Sequence, residues 1–388
     1  MQTLSRSQTT PSATERTASL FGPGLLALEG GLVLRGTLRG APVSAEGDLI
    51  FTTAATGWGE ILTDPSYEGQ IVVLTHPMAG NYRIDPSELE SSRVHARALV
   101  VTRLLTPPPG PGVALEELLV DAKIPALEGI DTRAVTLALR RGAARRAVIR
   151  ADDGMTAARA LVDEAAHSPT WESVDHVAAV SCRDRFEVVP EGPPRGRAVL
   201  VDYGVKRSLL RALASRGLAI SVLPHDATAA EVLALAPELV VLSPGPGDPA
   251  RMTAQIATVK ALADTAVSGG PPLLGICLGH QLLALAAGAP TRRLAVGHHG
   301  GNHAVIDTAT GRVDIGAHNH EVAVLEDPHL AAAGYRVSHR DLNDGTVEGL
   351  VHASGRIASV QFHPEGAPGP IDAERIFDLA VSGMTGSG

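Results

Sequence analysis

Residues 271–288 read PPLLGICLGHQLLALAAG. An apolar run passes straight into Gly275-Ile276-Cys277-Leu278-Gly279, and a helical pattern begins without a gap. Small flanking residues permit the tight turn that such a passage needs. The pattern is that of a nucleophile elbow, G-x-nucleophile-x-G, with cysteine in place of serine. An elbow holds its central side chain out in a strained conformation. It also aims the helix N-terminus, with its free N–H groups, at the reactive atom. A lone cysteine is more often a small hydrophobe packed in a core. The glycine spacing turns the balance toward a nucleophile.

The elbow sits in a rhythm of strands and helices. RAVLVDYG, LAISVLP, LVVLS and PPLLG read as buried strands, separated by helical stretches such as KRSLLRALASRG and MTAQIATVKALADTAVSG. Strands alternating with such helices predict an α/β fold: an open, mostly parallel sheet with flanking helices. Later segments (GNHAVID, RVDIGAHNHEVAV, GTVEGLVHASGRIASVQFHPE) read as short strands of an antiparallel extension. Residues 23–150 are strand-rich and predict a smaller α+β domain. There, GLLALEGGLVLRGTLRG reads as a hairpin, and RAVI (146–149) as a closing strand. The Pro/Gly-rich VVPEGPPRGR marks a boundary. The expected division is a tail over 1–22, an N-terminal domain with linker over 23–190, and a catalytic domain over 195–388.

Composition removes other classes. The chain has 388 residues, 44% of them hydrophobic, and a net charge of -9. It therefore has material for real cores and lacks the basic surface of a nucleic-acid binder. No stretch approaches the ~20 apolar residues of a membrane span. Cys182 and Cys277 are the only cysteines, too few for a disulfide framework or a cysteine-built zinc site. None of the three lysines, Lys123, Lys206 and Lys260, follows a glycine, so no Walker A loop is present. The first 20 residues lack the apolar core of a secretory signal, and a cytoplasmic location is expected.

A thiol nucleophile needs a base and a group to orient it. In IASVQFHPEG, His363 would stand at a strand tip and Glu365 could fix its tautomer. PGPGDP (244–249) follows the strand LVVLS, and Gly245 and Gly247 would let backbone N–H groups approach a substrate oxygen. Ligands bind at such carboxyl ends of strands in open α/β sheets.

With GICLGHQ, HPE and PGPGDP in this order, the C-terminal half resembles class I, triad-type glutamine amidotransferases. The whole chain, over roughly 23–380, resembles the small subunit of carbamoyl-phosphate synthase. FTTAATGWGEILTDPSYEGQIVVLTHPMAGN (51–81) is similar to the family block F-N-T-S-M-T-G-Y-Q-E-I-L-T-D-P-S-Y. GIDTRAVTLALR, VDYGVKRSLLRALASRG, GHHGGNHAV and LNDGTVEGL match as well. The resemblance implies that Cys277 attacks the carboxamide of L-glutamine, His363 shuttles protons and Glu365 orients it. It implies glutamine contacts at Gly245, Gly247, Leu278, Gln281 and Asn319. It also implies a large ATP-dependent partner subunit, which uses the ammonia to make carbamoyl phosphate, a precursor of arginine and pyrimidines. ATP and magnesium are then expected on the partner, and no cofactor in this chain.

Four positions depart from the family pattern. Ala54 stands for a serine, and Asn319-His320-Glu321-Val322 for N-H-G-F, preceded by His318 in place of glutamine. Glu321 would bring a carboxylate toward a substrate that carries its own. A scaffold or specialised paralogue with weakened glutaminase is the alternative reading. An amidotransferase for another acceptor is disfavoured by the N-terminal blocks. His298, His299, His303, His318 and His320 match no common zinc spacing, and no metal is expected.

Overall fold

The computed structural model describes residues 22–142 and 145–385. The expected N-terminal tail, but for Gly22, lies outside the described residues. Seven strands form a closed barrel: β1 (Gly22–Leu28), β2 (Val33–Gly40), β3 (Ala45–Thr52), β4 (Gln70–Leu74), β5 (Ala98–Val101), β6 (Pro125–Glu128) and β7 (Arg146–Ala151). The order is β1-β2-β6-β5-β4-β3-β7. The expected hairpin is β1–β2, with Leu26 opposite Leu34. The expected closing strand is β7, which pairs with β1 and β3 at once. β4 shows why this region reads as apolar runs. Ile71 and Val73 join Leu26, Leu49, Val100 and Ile149 in one core, while Val72 and Leu74 pack with Trp58, Ile61 and Leu115 on the other face. A strand covered on both sides has no polar face to alternate.

The second body is a ten-stranded sheet. Its strands are β8 (Phe186–Val188), β9 (Gly196–Asp202), β10 (Leu218–Pro224), β11 (Leu239–Leu242), β12 (Leu273–Ile276), β13 (Thr291–Asp307), β14 (Val313–Val324), β15 (Tyr335–Asp341), β16 (Val347–His352) and β17 (Ile357–Val360). They lie in the order β14-β13-β15-β16-β17-β12-β11-β9-β10-β8. The run β10-β9-β11-β12-β17 is parallel; the remaining pairings, including β16–β17, are antiparallel. Helices cover both faces, as parallel strands require. Val199 and Val201 of β9 pack toward Val232, Val259 and Leu282, whereas Ala198 and Leu200 pack toward Leu209, Leu213 and Phe377.

Two details differ from expectation. Phe186–Val188 pairs antiparallel with β10 and is the outermost strand of the large sheet, so the sheet begins before the boundary expected at 190–195. An edge strand of three residues is too short to show periodicity. The antiparallel extension is also drawn differently from the sequence reading: β17, expected within it, pairs parallel with β12 and joins the core, because its apolar run alone does not tell strand direction. β13 runs for 17 residues, and β15 (YRVSHRD) carries too many polar residues to stand out as a strand. Among the described residues, no helix is long and apolar enough to cross a membrane.

Candidate active site

The elbow forms where β12 meets the helix Leu278–Ala286. Cys277 links them at φ 51° and ψ -103°, a region costly for any residue with a side chain. The two glycines are sterically required. A Cβ at Gly279 would lie 2.4 Å from the Leu242 carbonyl oxygen, and one at Gly275 would lie 2.8 Å from the Gly279 backbone. The Gly279 N–H donates to the Ser243 oxygen at 3.2 Å, tying the helix start to the end of β11. Leu278, the first helical residue, has an N–H with no intrahelical acceptor. Cys277 is buried and its thiol donates to the Asn319 carbonyl oxygen at 3.9 Å. Gln361 Nε2 donates to the sulfur at 3.5 Å.

His363 follows β17 and is held by a bridge to Ala317 of β14. Its Nδ1 lies 2.8 Å from Glu365 Oε1, which commits that nitrogen to the carboxylate. Its Nε2 is buried with no hydrogen-bond partner among the described residues. The structure pairs His363 with Glu365 and sets them beside the elbow, where the Cys277 N–H donates to the Val360 oxygen of β17 at 2.8 Å.

Lys206 escaped the sequence reading. It is buried just after β9, with Nζ 2.9 Å from the Gly366 oxygen and 3.4 Å from Glu365 Oε1. Burial alone would favour neutral forms of both members of the His363–Glu365 pair. The Lys206 and His363 charges outweigh this for Glu365 and hold its carboxyl down to about 2. For His363 burial and Lys206 oppose the charged form, but the charge and hydrogen bond of Glu365, together with Cys277, raise the imidazole well above its usual range.

A small cavity of about 20 Å³ opens over the sulfur. Its walls include Gly245, Gly247, Cys277, Gln281, Asn319 and Glu321. Ser66, Gln70 and Trp171 also line it. These lie outside the catalytic half predicted from sequence, so the barrel side of the molecule completes the site. Gly245 sits so close to Tyr203 that a Cβ would meet its carbonyl oxygen at 2.1 Å, and Gly247 has φ +98°. Gln281 spends its amide N–H groups on the Val322 oxygen (2.8 Å) and Gln361 (3.1 Å), leaving Oε1 as its free acceptor. The Asn319 side chain is tied to Asp64 (3.0 Å) and His299 (2.9 Å), so its backbone is what meets the sulfur.

Glu321 does not present a bare charge to the cavity. It pairs with Arg145, with Arg293 at 3.4 Å and with His299 at 2.7 Å. Burial would raise its carboxyl, but these partners hold it down to about 2. Gly297 makes the room: a Cβ there would lie 2.4 Å from Glu321 Oε1. Arg293 is itself bound to Asp48 and Glu172. Nothing in the sequence pattern announces this network, because its paired members are 22 to 245 residues apart. Ala54 lines a separate small cavity of about 20 Å³ with Asp64, Lys206 and His363.

The remaining candidates fall elsewhere. Cys182 is half-buried beside Asp202, and burial together with that charge pushes its thiol up to about 12, which makes it inert. His280, in the elbow helix, bonds Ser359 at 2.9 Å and is pushed down to about 3 by burial. His298, His318 and His320 converge with Glu348 of β16.

Comparison with known proteins agrees with this architecture. Residues 199–382 match the glutamine amidotransferase class-I family, and residues 26–149 match the CPSase domain of the carbamoyl-phosphate synthase small chain. A carbamoyl phosphate synthase small chain of Methanopyrus kandleri is 42% identical over 91% of this chain and 96% of its own. Those of Clostridium perfringens and Archaeoglobus fulgidus are 39% and 40% identical, covering 91% and 92% of this chain and 97% of their own. With a two-part match in this order and relatives aligned nearly end to end, the chain belongs to the carbamoyl phosphate synthase small chains.

Proposed function

We propose that this chain hydrolyses L-glutamine at Cys277 and hands the ammonia to a large ATP-dependent carbamoyl-phosphate synthase subunit. The observation that carries this reading is the strained Cys277 in the wall of the cavity, with the hydrogen-bonded His363–Glu365 pair beside the elbow. His363 Nε2 takes the thiol proton, and Sγ attacks the carboxamide carbon. The N–H groups of Leu278 and the Gly245–Gly247 loop receive the oxyanion. The imidazolium returns its proton to the leaving nitrogen, and the C–N bond breaks to give ammonia and a glutamyl thioester. Water, deprotonated by His363, then cleaves the thioester to glutamate and the thiol. Glu365 and Lys206 hold the imidazole in one tautomer and orientation. The cavity bordered by His363, Ala54 and Lys206 supports a sheltered exit for ammonia.

Glutamine itself is recognised by Gln281 Oε1, the Asn319 backbone and the glycine loop. Bicarbonate, ATP and magnesium belong to the partner subunit, and this chain uses no cofactor. The neutralised Glu321 removes the main reason to read the protein as a scaffold with weakened glutaminase. The test is ammonia release from glutamine by the native chain and by Cys277→Ser, each with and without the large subunit. Cys277-dependent release that the partner stimulates supports the reading. Release that is absent, or independent of Cys277, in both conditions overturns it. Added ammonium should restore carbamoyl phosphate synthesis in the Cys277→Ser complex.

A further inference from the structure

The alternation of β14 sends Asn319 and Glu321 to the glutamine cavity and places His318 and His320 in a second cluster. That cluster also takes His298 from β13 and Glu348 from β16. Its four donor atoms all lie within 4.8 Å of one another, and all four residues are buried. His318 Nδ1 is 3.2 Å from His320 Nε2 and 3.6 Å from Glu348 Oε2. Glu348 Oε1 is 3.7 Å from His298 Nδ1 and 3.8 Å from His320 Nε2. A tetrahedral ion with bonds of about 2.1 Å holds its ligands about 3.4 Å apart. The carboxylate contacts are too long for hydrogen bonds and suit a shared cation.

Two further observations point inward. His298 Nδ1 and Glu348 Oε2 are buried with no hydrogen-bond partner among the described residues, a state that costs stability unless something else meets them. Two of the three outer nitrogens, in contrast, are engaged, while His318 Nε2 is buried with no hydrogen-bond partner among the described residues. His298 Nε2 lies 3.0 Å from Asp344 Oδ2, and His320 Nδ1 lies 3.0 Å from the Val322 oxygen. Such outer contacts place the ring protons outside and turn the lone pairs of His298 Nδ1 and His320 Nε2 inward, as metal-bound histidines require.

We infer that His298, His318, His320 and Glu348 bind a divalent transition-metal ion of the zinc type. Three imidazoles and one carboxylate suit such an ion and offer four donors, a closed set of the structural kind. The ion joins β13, β14 and β16 behind the wall that carries Asn319 and Glu321. Its role is to brace that wall; it takes no part in the chemistry at Cys277. His318, where the family pattern has glutamine, supplies the ligand particular to this chain.

Cobalt(II) titration of the chelator-stripped full chain tests the inference, with visible absorption as the readout and zinc as competitor. The expected result is one equivalent bound with the intense bands of tetrahedral cobalt, displaced by zinc. His318→Gln should lower the affinity by at least about 10-fold, and Asp344→Asn, at a half-exposed outer contact, by about 10-fold. Circular dichroism confirms that each variant is folded. Absence of saturable one-to-one binding by the native chain overturns the site. So does a cobalt affinity unchanged by His318→Gln and Asp344→Asn.

Discussion

Replacing Lys206 by methionine keeps the buried stem and removes the charge that faces Glu365. At 3.4 Å, and with an effective dielectric constant of about 20, the pair interacts by about 5 kcal/mol. Removing one partner of a buried ion pair leaves the other uncompensated, which typically costs about 3–5 kcal/mol. That is a large share of the roughly 5–15 kcal/mol that holds a protein folded. The pH dependence has a definite sign. Glu365 is held below its ordinary range in the fold, so its contribution is complete above the unfolded value and is lost as pH falls through the folded one. Without Lys206 the folded value rises, and stability is lost from a higher pH. His363 also loses a neighbour that restrains it, and its proton is held more firmly. Urea unfolding of Lys206→Met between pH 5 and pH 8, with the pH profile of ammonia release, measures both effects. A loss below about 1 kcal/mol, with an unmoved acid limb, would refute the assignment of Lys206 as the counter-charge of the His363–Glu365 pair.

Other expected outcomes follow from the same geometry. Glu365→Gln keeps the shape but loses the charge that holds His363, and kcat for ammonia release should fall by about 10²–10⁴ with KM little changed; a smaller fall, read by steady-state kinetics, would count against its orienting role. Gly279→Ala drives a methyl group against the Leu242 oxygen and should destabilise by about 1–3 kcal/mol, which thermal unfolding will show. Glu321→Gln should cost about 3 kcal/mol near neutral pH, because the carboxyl is held from an ordinary 4.5 down to about 2. That contribution is present above the unfolded value and lost as pH falls toward 2, so the deficit should shrink by pH 3. A deficit constant with pH would show that Glu321 acts through packing instead.

The sequence made the elbow readable because its constraint is local. Gly275 and Gly279 clear a turn of five residues, and Cys277 can only be where they put it. The parallel strands β9 to β12 were legible for a similar reason, since each is followed by its own helix; β17, which has none directly after it, was not. Barrel closure was not, since an apolar run such as β4 marks a buried strand but not its neighbours. Lys206 was counted among the lysines but not seen as a partner of Glu365, 159 residues away in the chain. The arginines that neutralise Glu321 come from β13 and from the segment before β7, a juxtaposition made only when the barrel docks on the large sheet. The histidines failed a test of spacing because strand neighbours, unlike zinc-finger ligands, have no fixed separation in sequence. Register supplies what spacing cannot: His298 stands opposite His320 across β13 and β14.

The central claim is that Cys277 carries the glutamyl group. Acid-quenching the chain during turnover of radiolabelled glutamine, then mapping the labelled peptide, measures this directly. The account predicts label on the peptide containing Cys277, released by neutral hydroxylamine as expected of a thioester and absent in Cys277→Ala. Ammonia release with no label on that peptide, or label on Cys182 instead, would contradict it.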